Sequence, residues 1–171
     1  MTTGTLAAGR FSEWLEQLQR GDDMAVPCGT CTACCTSSQF VHIAPDERET
    51  LARVPAALRF PAPGLPEGHV VLGYDEHGRC PMLVDDACSI YEHRPRTCRT
   101  YDCRVFAATG VEPDATQAAI AARVREWAFD VDDPASWHAV HAAVPADGRP
   151  LERALRALSA PRPTPGSRSP A

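Results

Sequence analysis

The residues most able to do chemistry in this chain are its eight cysteines, all between positions 28 and 103. The first group reads Cys28-Gly-Thr-Cys31-Thr-Ala-Cys34-Cys35. Two residues between successive cysteines let a tight loop turn its thiolates inward on one centre, as zinc knuckles and iron-sulfur loops do. Gly29, Thr30, Thr32 and Ala33 are small, so the backbone can approach a metal and aim N–H groups at the sulfurs. Cys34 and Cys35 are adjacent, and neighbouring side chains of an extended backbone point to opposite faces. That predicts separate roles for the pair: ligands to two centres, or one ligand and one thiol for redox chemistry.

The second group, Cys80, Cys88, Cys98 and Cys103, is spaced by seven, nine and four residues and contains no Cys-x-x-Cys. Two separate four-cysteine zinc knuckles would show that interval in both halves. The spacing instead favours a triad, Cys28, Cys31 and Cys34, completed by a remote cysteine, the arrangement that holds a bacterial 4Fe-4S cubane. Two zinc ions or two clusters remain compatible with eight thiolates. Four thiolates on a divalent ion leave excess negative charge, and Arg94, Arg96, Arg99 and Arg104 stand beside Cys98 and Cys103 to offset it. Arg94, Arg96 and Arg99 are therefore the expected cofactor-binding residues, lowering thiol pKa and donating to sulfur or to an anionic substrate.

The Cys-x-x-Cys-x-x-Cys-Cys group is followed by Gly78-Arg79-Cys80-Pro81-Met82-Leu83, by Cys88-Ser89-Ile90-Tyr91, and by Arg94-Pro95-Arg96-Thr97-Cys98-Arg99 with Cys103. In this order the residues resemble the YkgJ-type cysteine-cluster family of zinc- or iron-chelating domains. The resemblance covers Cys28 to Cys103 and implies metal binding, with no reaction attached.

Composition narrows the remaining choices. A chain of 171 residues suits one domain. Its net charge of -5 and pI of 5.6 speak against a nucleic-acid partner. Every positive residue is arginine, which excludes Schiff-base lysine and P-loop chemistry. No apolar leader or run of about 18 apolar residues occurs, so the expected location is cytoplasmic, without a membrane partner. Reduced thiols there hold metal rather than form disulfides. Aromatic residues make up only 6% of the chain, so the core is thin and metal is expected to supply much of the folding free energy.

Phe11, Trp14, Leu15 and Leu18 recur at helical spacing, with Ser12 as N-cap and Gly21 as the stop. Phe40 to Ile43 reads as extended, and Pro45-Asp46-Glu47 opens a helix running to Val54. Residues 60–68 read as loop, while 69–74 and 80–88 read as short strands joined by tight turns, with Asp85 and Asp86 in one turn. Helices are expected over 115–129, 136–143 and 151–158. The expected fold is α+β: a small irregular cysteine-rich metal-binding core with short strands, flanked by helices. A single domain spans 1–160, with the cysteine core at 28–103, a helical part at 112–160 and a disordered tail at 161–171.

Other residues carry weaker signals. His138 and His141 share a helix face without the carboxylate of a Glu-x-x-His motif. His93 lies between Cys88 and Cys98, where a mixed ligand or proton donor could sit, and Tyr91 and Tyr101 flank the second group. No serine stands in a Gly-x-Ser-x-Gly elbow. The expectation is a metal-binding protein whose cysteines hold an iron-sulfur cluster, 4Fe-4S before zinc. It would act in electron transfer with a redox partner, or as a small oxidoreductase on a small-molecule substrate. A structural zinc module presenting its helices to a protein partner is the alternative.

Overall fold

The computed structural model describes residues 5–21, 24 and 26–161. The expected disordered tail, from residue 162 onward, lies outside the described residues. Along the chain run β1 (Leu6–Arg10), α1 (Phe11–Arg20), β2 (Val41–Ile43), α2 (Arg48–Arg53), β3 (Arg59–Pro61), β4 (Val70–Leu72), β5 (Leu83–Val84) and β6 (Ala87–Cys88). They are followed by α3 (Arg96–Thr100), α4 (Arg104–Thr109), α5 (Ala118–Val124), β7 (Trp127–Asp130), α6 (Pro134–Ala142) and α7 (Pro150–Leu158). Single 3-10 turns occur at Cys34–Thr36, Ala56–Leu58 and Tyr91–His93. Helix at 40% outweighs strand at 14%, and the strands lie in small separate sheets, so the fold is a small α+β. The chain forms two compact units, one from residues 1–24, 103–115 and 121–171, the other from 25–102 and 116–120.

In the first unit, β1 and β7 pair in parallel, Leu6 with Trp127 and Arg10 with Asp130. The helix expected over 115–129 therefore ends early, at Val124, and Trp127 to Asp130 is a strand. Burial alternates along it, Trp127 inward and Ala128 outward, the period-2 pattern of a strand. A window around residue 127 cannot register that its backbone partner is near residue 6. Phe11 is fully buried and meets Trp137 edge-on at 4.9 Å and Phe129 at 5.8 Å, while Trp14 packs on Phe129 at 4.9 Å. Four of the eleven aromatic residues thus gather in one cluster, to which Phe106, Val140, Ala154 and Leu158 add buried apolar surface from α4, α6 and α7.

Helix α1 ends as expected at Gly21, whose φ of 71° lets its N–H turn back to the carbonyls of Gln17 and Leu18. Its N-terminus differs from expectation. Ser12 lies inside the helix after Arg10, and the cap comes from Asp132, whose carboxylate accepts the Ser12 N–H at 3.0 Å and also the Ser12 hydroxyl. These bonds, with the Arg10 guanidinium 2.8 Å away, hold the Asp132 carboxyl below the ordinary aspartate range.

Helix α6 is capped within its own sequence, because the Asp133 carboxylate accepts the Ser136 N–H at 3.1 Å. Hydrogen bonds from Ser136 hold the Asp133 carboxyl below its usual 3.8. Asp133→Ala should remove about 1 kcal/mol of stability at pH 7, read as a lower thermal midpoint. Because the folded pKa is depressed, this contribution is complete above the unfolded aspartate value and is lost as pH falls through the folded one. The variant's deficit should therefore shrink below about pH 4, where the wild-type cap is also lost.

In the second unit, β2, β4 and β3 form an antiparallel sheet in that order, pairing His42 with Val71 and Phe60 with Val71. The loop expected at 60–68 thus begins two residues late, since Phe60 and Pro61 complete β3. A proline is tolerated there because β3 is an edge strand. Strand β4 pairs with β2 and β3 rather than with the segment after the Asp75–Gly78 turn. Cys80 to Met82 stays irregular, and β5 pairs with β6 across Asp85 and Asp86. Those aspartates take φ of 50° and 57°, the left-handed pair a two-residue hairpin turn needs, so they are turn residues. Ile43, Val54, Leu72, Met82 and Ile90 form the core of this unit, with Cys80 and Cys88 packed against it. Among the described residues no helix is long and apolar enough to cross a membrane.

Candidate metal centre

The first cysteine group winds rather than extends. The Cys31 N–H donates to the Cys28 carbonyl at 3.0 Å, Ala33 is right-handed helical, and Cys34–Thr36 is a 3-10 turn. The Ser37 hydroxyl closes the turn onto the Ala33 carbonyl at 2.7 Å. This corrects the extended-chain expectation for Cys34 and Cys35. In a turn with three residues per revolution, neighbouring side chains are about 120° apart instead of opposed, and both cysteines line one pocket.

Cys80 and Cys98 line the same pocket, walled by Phe40, Val41 and Tyr101 and enclosing about 60 Å³. Cys80 is brought there by a bond from its N–H to the Cys35 carbonyl at 2.7 Å. Cys98 arrives on α3, and Cys88 ends the β5–β6 hairpin opposite Leu83. Burial, then the neighbouring Cys80, Cys88, Cys31 and Cys28, push the Cys35 thiol up to about 11. Cys80 is also pushed up, mainly by burial. Cys98 moves upward for want of solvation of its thiolate and through Cys35, Cys80 and Cys88, although the residue as a whole is exposed. Two cysteine groups far apart in sequence thus share one low-polarity neighbourhood. All eight cysteines are free thiols.

Of the arginines expected to depress these thiols, Arg94 does so at Cys98, although the net shift there is upward. Arg94 opposes the rise at Cys98 as a lesser influence than burial and the three cysteines, while its guanidinium lies 4.0 Å over the Tyr91 ring and donates to the Tyr91 carbonyl at 2.8 Å. Arg96 pairs with Asp46 at 2.7 Å. Arg99 lines a different, polar cavity with Arg94 and Arg96. Arg104 is buried in the first unit and donates to the Ala8 carbonyl at 3.1 Å. Cys103 is buried in that unit too, its sulfur accepting the Trp127 indole N–H at 3.3 Å.

His93 is paired with Glu49 at 3.0 Å. On α6, His141 bonds to the Trp137 carbonyl at 2.9 Å and lies against the Trp137 ring. Sequence reasoning missed Phe40 and Thr97 as lining residues of the thiol pocket. Thr97 also ties α3 to β2, its hydroxyl donating to the His42 carbonyl at 2.9 Å. The only signal for Thr97 was its place beside Cys98.

Gly78 fixes how the first cysteine group meets the second. Its carbonyl accepts the Ser38 N–H at 2.9 Å, its φ is 74°, and an added Cβ would collide with the Ser38 hydroxyl oxygen. Gly78→Ala should therefore cost about 1–3 kcal/mol, measured by denaturant titration. Ala at Gly64, also at positive φ but with open space around its Cβ position, should cost less.

A family model named CxxCxxCC and described as "Putative zinc- or iron-chelating domain" matches residues 27–123, more than half of the chain. The chain belongs to this family. The CxxCxxCC match takes in all eight cysteines and the whole of the thiol pocket. No curated protein and no solved structure matches the chain.

The donor chemistry fits what the family description names. Thiolate is the preferred ligand of zinc and of iron-sulfur clusters, and the thiols stand close enough to raise one another's pKa. Among the described residues, however, no three His, Cys, Asp or Glu side chains converge tightly enough to hold an ion as they stand. Deprotonation and a local adjustment of the thiols must accompany loading.

Proposed function

We propose that the cysteines of the second unit, Cys28, Cys31, Cys34, Cys35, Cys80, Cys88 and Cys98, hold an iron-sulfur cluster of the 4Fe-4S kind. The observation carrying this reading is the gathering of four thiols on one small apolar pocket, with three more close by along the same turns and hairpin. A bound cluster would supply one-electron transfer or a Lewis-acidic iron. Around it Phe40, Val41 and Tyr101 would form the apolar wall, and the 28–36 turns and the β5–β6 hairpin would carry the thiols. Free thiols throughout suit a reducing compartment such as the cytoplasm. The protein would then pass electrons to a redox partner or act on a small substrate as an oxidoreductase.

A structural zinc site presenting the helices to a protein partner is the second reading, favoured by the small size of the pocket. Metal and acid-labile sulfide analysis with a visible spectrum, on full-length protein purified without air, tests the proposal. Iron and sulfide in equal amounts with absorbance that bleaches on reduction are expected. A colourless protein with stoichiometric zinc would overturn the cluster in favour of the structural site.

A further inference from the structure

A second cavity of this unit lies apart from the thiol pocket. About 220 Å³ of space, roughly seven water volumes, lies between the start of α2 and the stretch from Glu92 to Arg99. Four arginines border it: Arg48, Arg94, Arg96 and Arg99.

The rim acids are largely committed. The Asp46 carboxylate is held by the Arg96 guanidinium at 2.7 Å. Glu47, buried, accepts the Ala44 N–H at 2.9 Å and the Arg96 N–H. Glu49 takes His93 at 3.0 Å. Arg94 is engaged with Tyr91 by its 2.8 Å hydrogen bond and its position over the ring. The Arg48 and Arg99 guanidinium groups make no hydrogen bond or ion pair among the described residues, and Glu92 is the one rim carboxylate in that condition.

Two uncommitted guanidinium groups therefore face one concavity beside two further arginines. Each presents a planar fork of donors that matches a carboxylate or phosphate in two-point fashion. We infer that this cavity binds a small anion, a compact molecule bearing carboxylate or phosphate groups, with Arg48 and Arg99 as its principal contacts. The site does not depend on whether the thiols hold iron or zinc. Helix α3 separates the two places: Arg96 and Arg99, three residues apart on one helix face, line this cavity, whereas Thr97 and Cys98 line the thiol pocket.

Calorimetric titration of the full-length, metal-loaded protein at low ionic strength with succinate and, separately, with inorganic phosphate tests the inference. Neither probe is a strong enough chelator to strip the metal. One equivalent should bind with a Kd of about 1 mM or tighter. Arg48→Gln and Arg99→Gln should each weaken binding by about tenfold or more, and Arg79→Gln, at a turn outside the cavity, should leave it unchanged. Tighter binding of succinate assigns the site to carboxylates, and of phosphate to phosphorylated molecules. Both cavity arginines are exposed, so circular dichroism melts should show the variants folded. Failure of both probes to bind below about 10 mM, or equal losses in Arg79→Gln, would overturn the inference.

Discussion

Cys35→Ser should leave the protein with less than about a tenth of its wild-type metal, because one residue is removed that both cysteine groups share. Its thiol feels Cys28, Cys31, Cys80 and Cys88 and acts in turn on Cys98, while its carbonyl, which holds the Cys80 N–H at 2.7 Å, is kept in the variant. A serine hydroxyl at that place is a hard, weakly acidic ligand, poorly matched to zinc or iron-sulfur sites. Structural four-thiolate sites in small peptides contribute on the order of 10 kcal/mol to folding, so a large fall in thermal midpoint should accompany the loss. Atomic absorption and differential scanning calorimetry read the two effects.

The direction of the thiol shifts adds a pH dependence. With Cys35 raised to about 11 and Cys80 and Cys98 also raised, each coordinating thiol must release a proton when metal binds near neutral pH. Metal affinity should therefore rise with pH, by up to about tenfold per unit for every such ligand. Competition with a chromogenic chelator at several pH values measures this slope. The metal-free protein should behave in the opposite sense. A thiol whose folded pKa exceeds its unfolded value stabilises the fold below the usual 9.0 and loses that contribution as pH rises towards the folded value. A flat affinity between neutral and alkaline pH would contradict the picture of protonated, half-buried thiols.

Phe11→Ala should destabilise the first unit strongly, with a loss of about 3–5 kcal/mol. Phe11 is fully buried and makes edge-on contacts with both Phe129 and Trp137, while Trp14 is 6.3 Å away on the same helix. Truncation opens a cavity among rings that belong to α1, β7 and α6 and cannot all move inward. Given total stabilities of about 5–15 kcal/mol, such a loss lowers the thermal midpoint by roughly 10 °C. Phe11→Leu, which keeps most of the volume, should lose less than half as much. Equal losses in the two variants would show that ring contacts rather than cavity volume set the cost.

Much of this architecture is legible from local signals. Gly21 ends α1, Asp85 and Asp86 make a turn, and the small residues of the first cysteine group form tight turns. Each depends on the backbone preferences of a few neighbouring residues. The rest depends on partners distant in sequence. Trp127 and Phe129 look helical until β1 is known to lie alongside, and Ser12 looks like a cap until Asp132 is seen to supply it. The winding at Cys34 reverses the inference drawn from two adjacent cysteines. Arginines next to cysteines in sequence turn out to face another cavity, because a helix such as α3 sends residues 96 and 99 one way and 97 and 98 another. Charge near a thiol in sequence is thus a poor guide to charge near it in space.

The parallel pairing of β1 with β7 has a consequence for how the chain comes off the ribosome. Leu6 meets Trp127 and Arg10 meets Asp130, so β1 has no partner until more than a hundred further residues have been synthesised. During that interval the apolar face of α1, with Phe11, Trp14 and Leu15, is without the aromatic neighbours it later acquires. The cysteine-rich unit consists of residues 25–102 and 116–120, all made before β7, and can take up metal earlier. Long-range closure of this kind slows folding and leaves a nascent hydrophobic segment open to chaperones or aggregation. A ribosome stalled before residue 127 would present a loaded metal module beside an unfolded N-terminus.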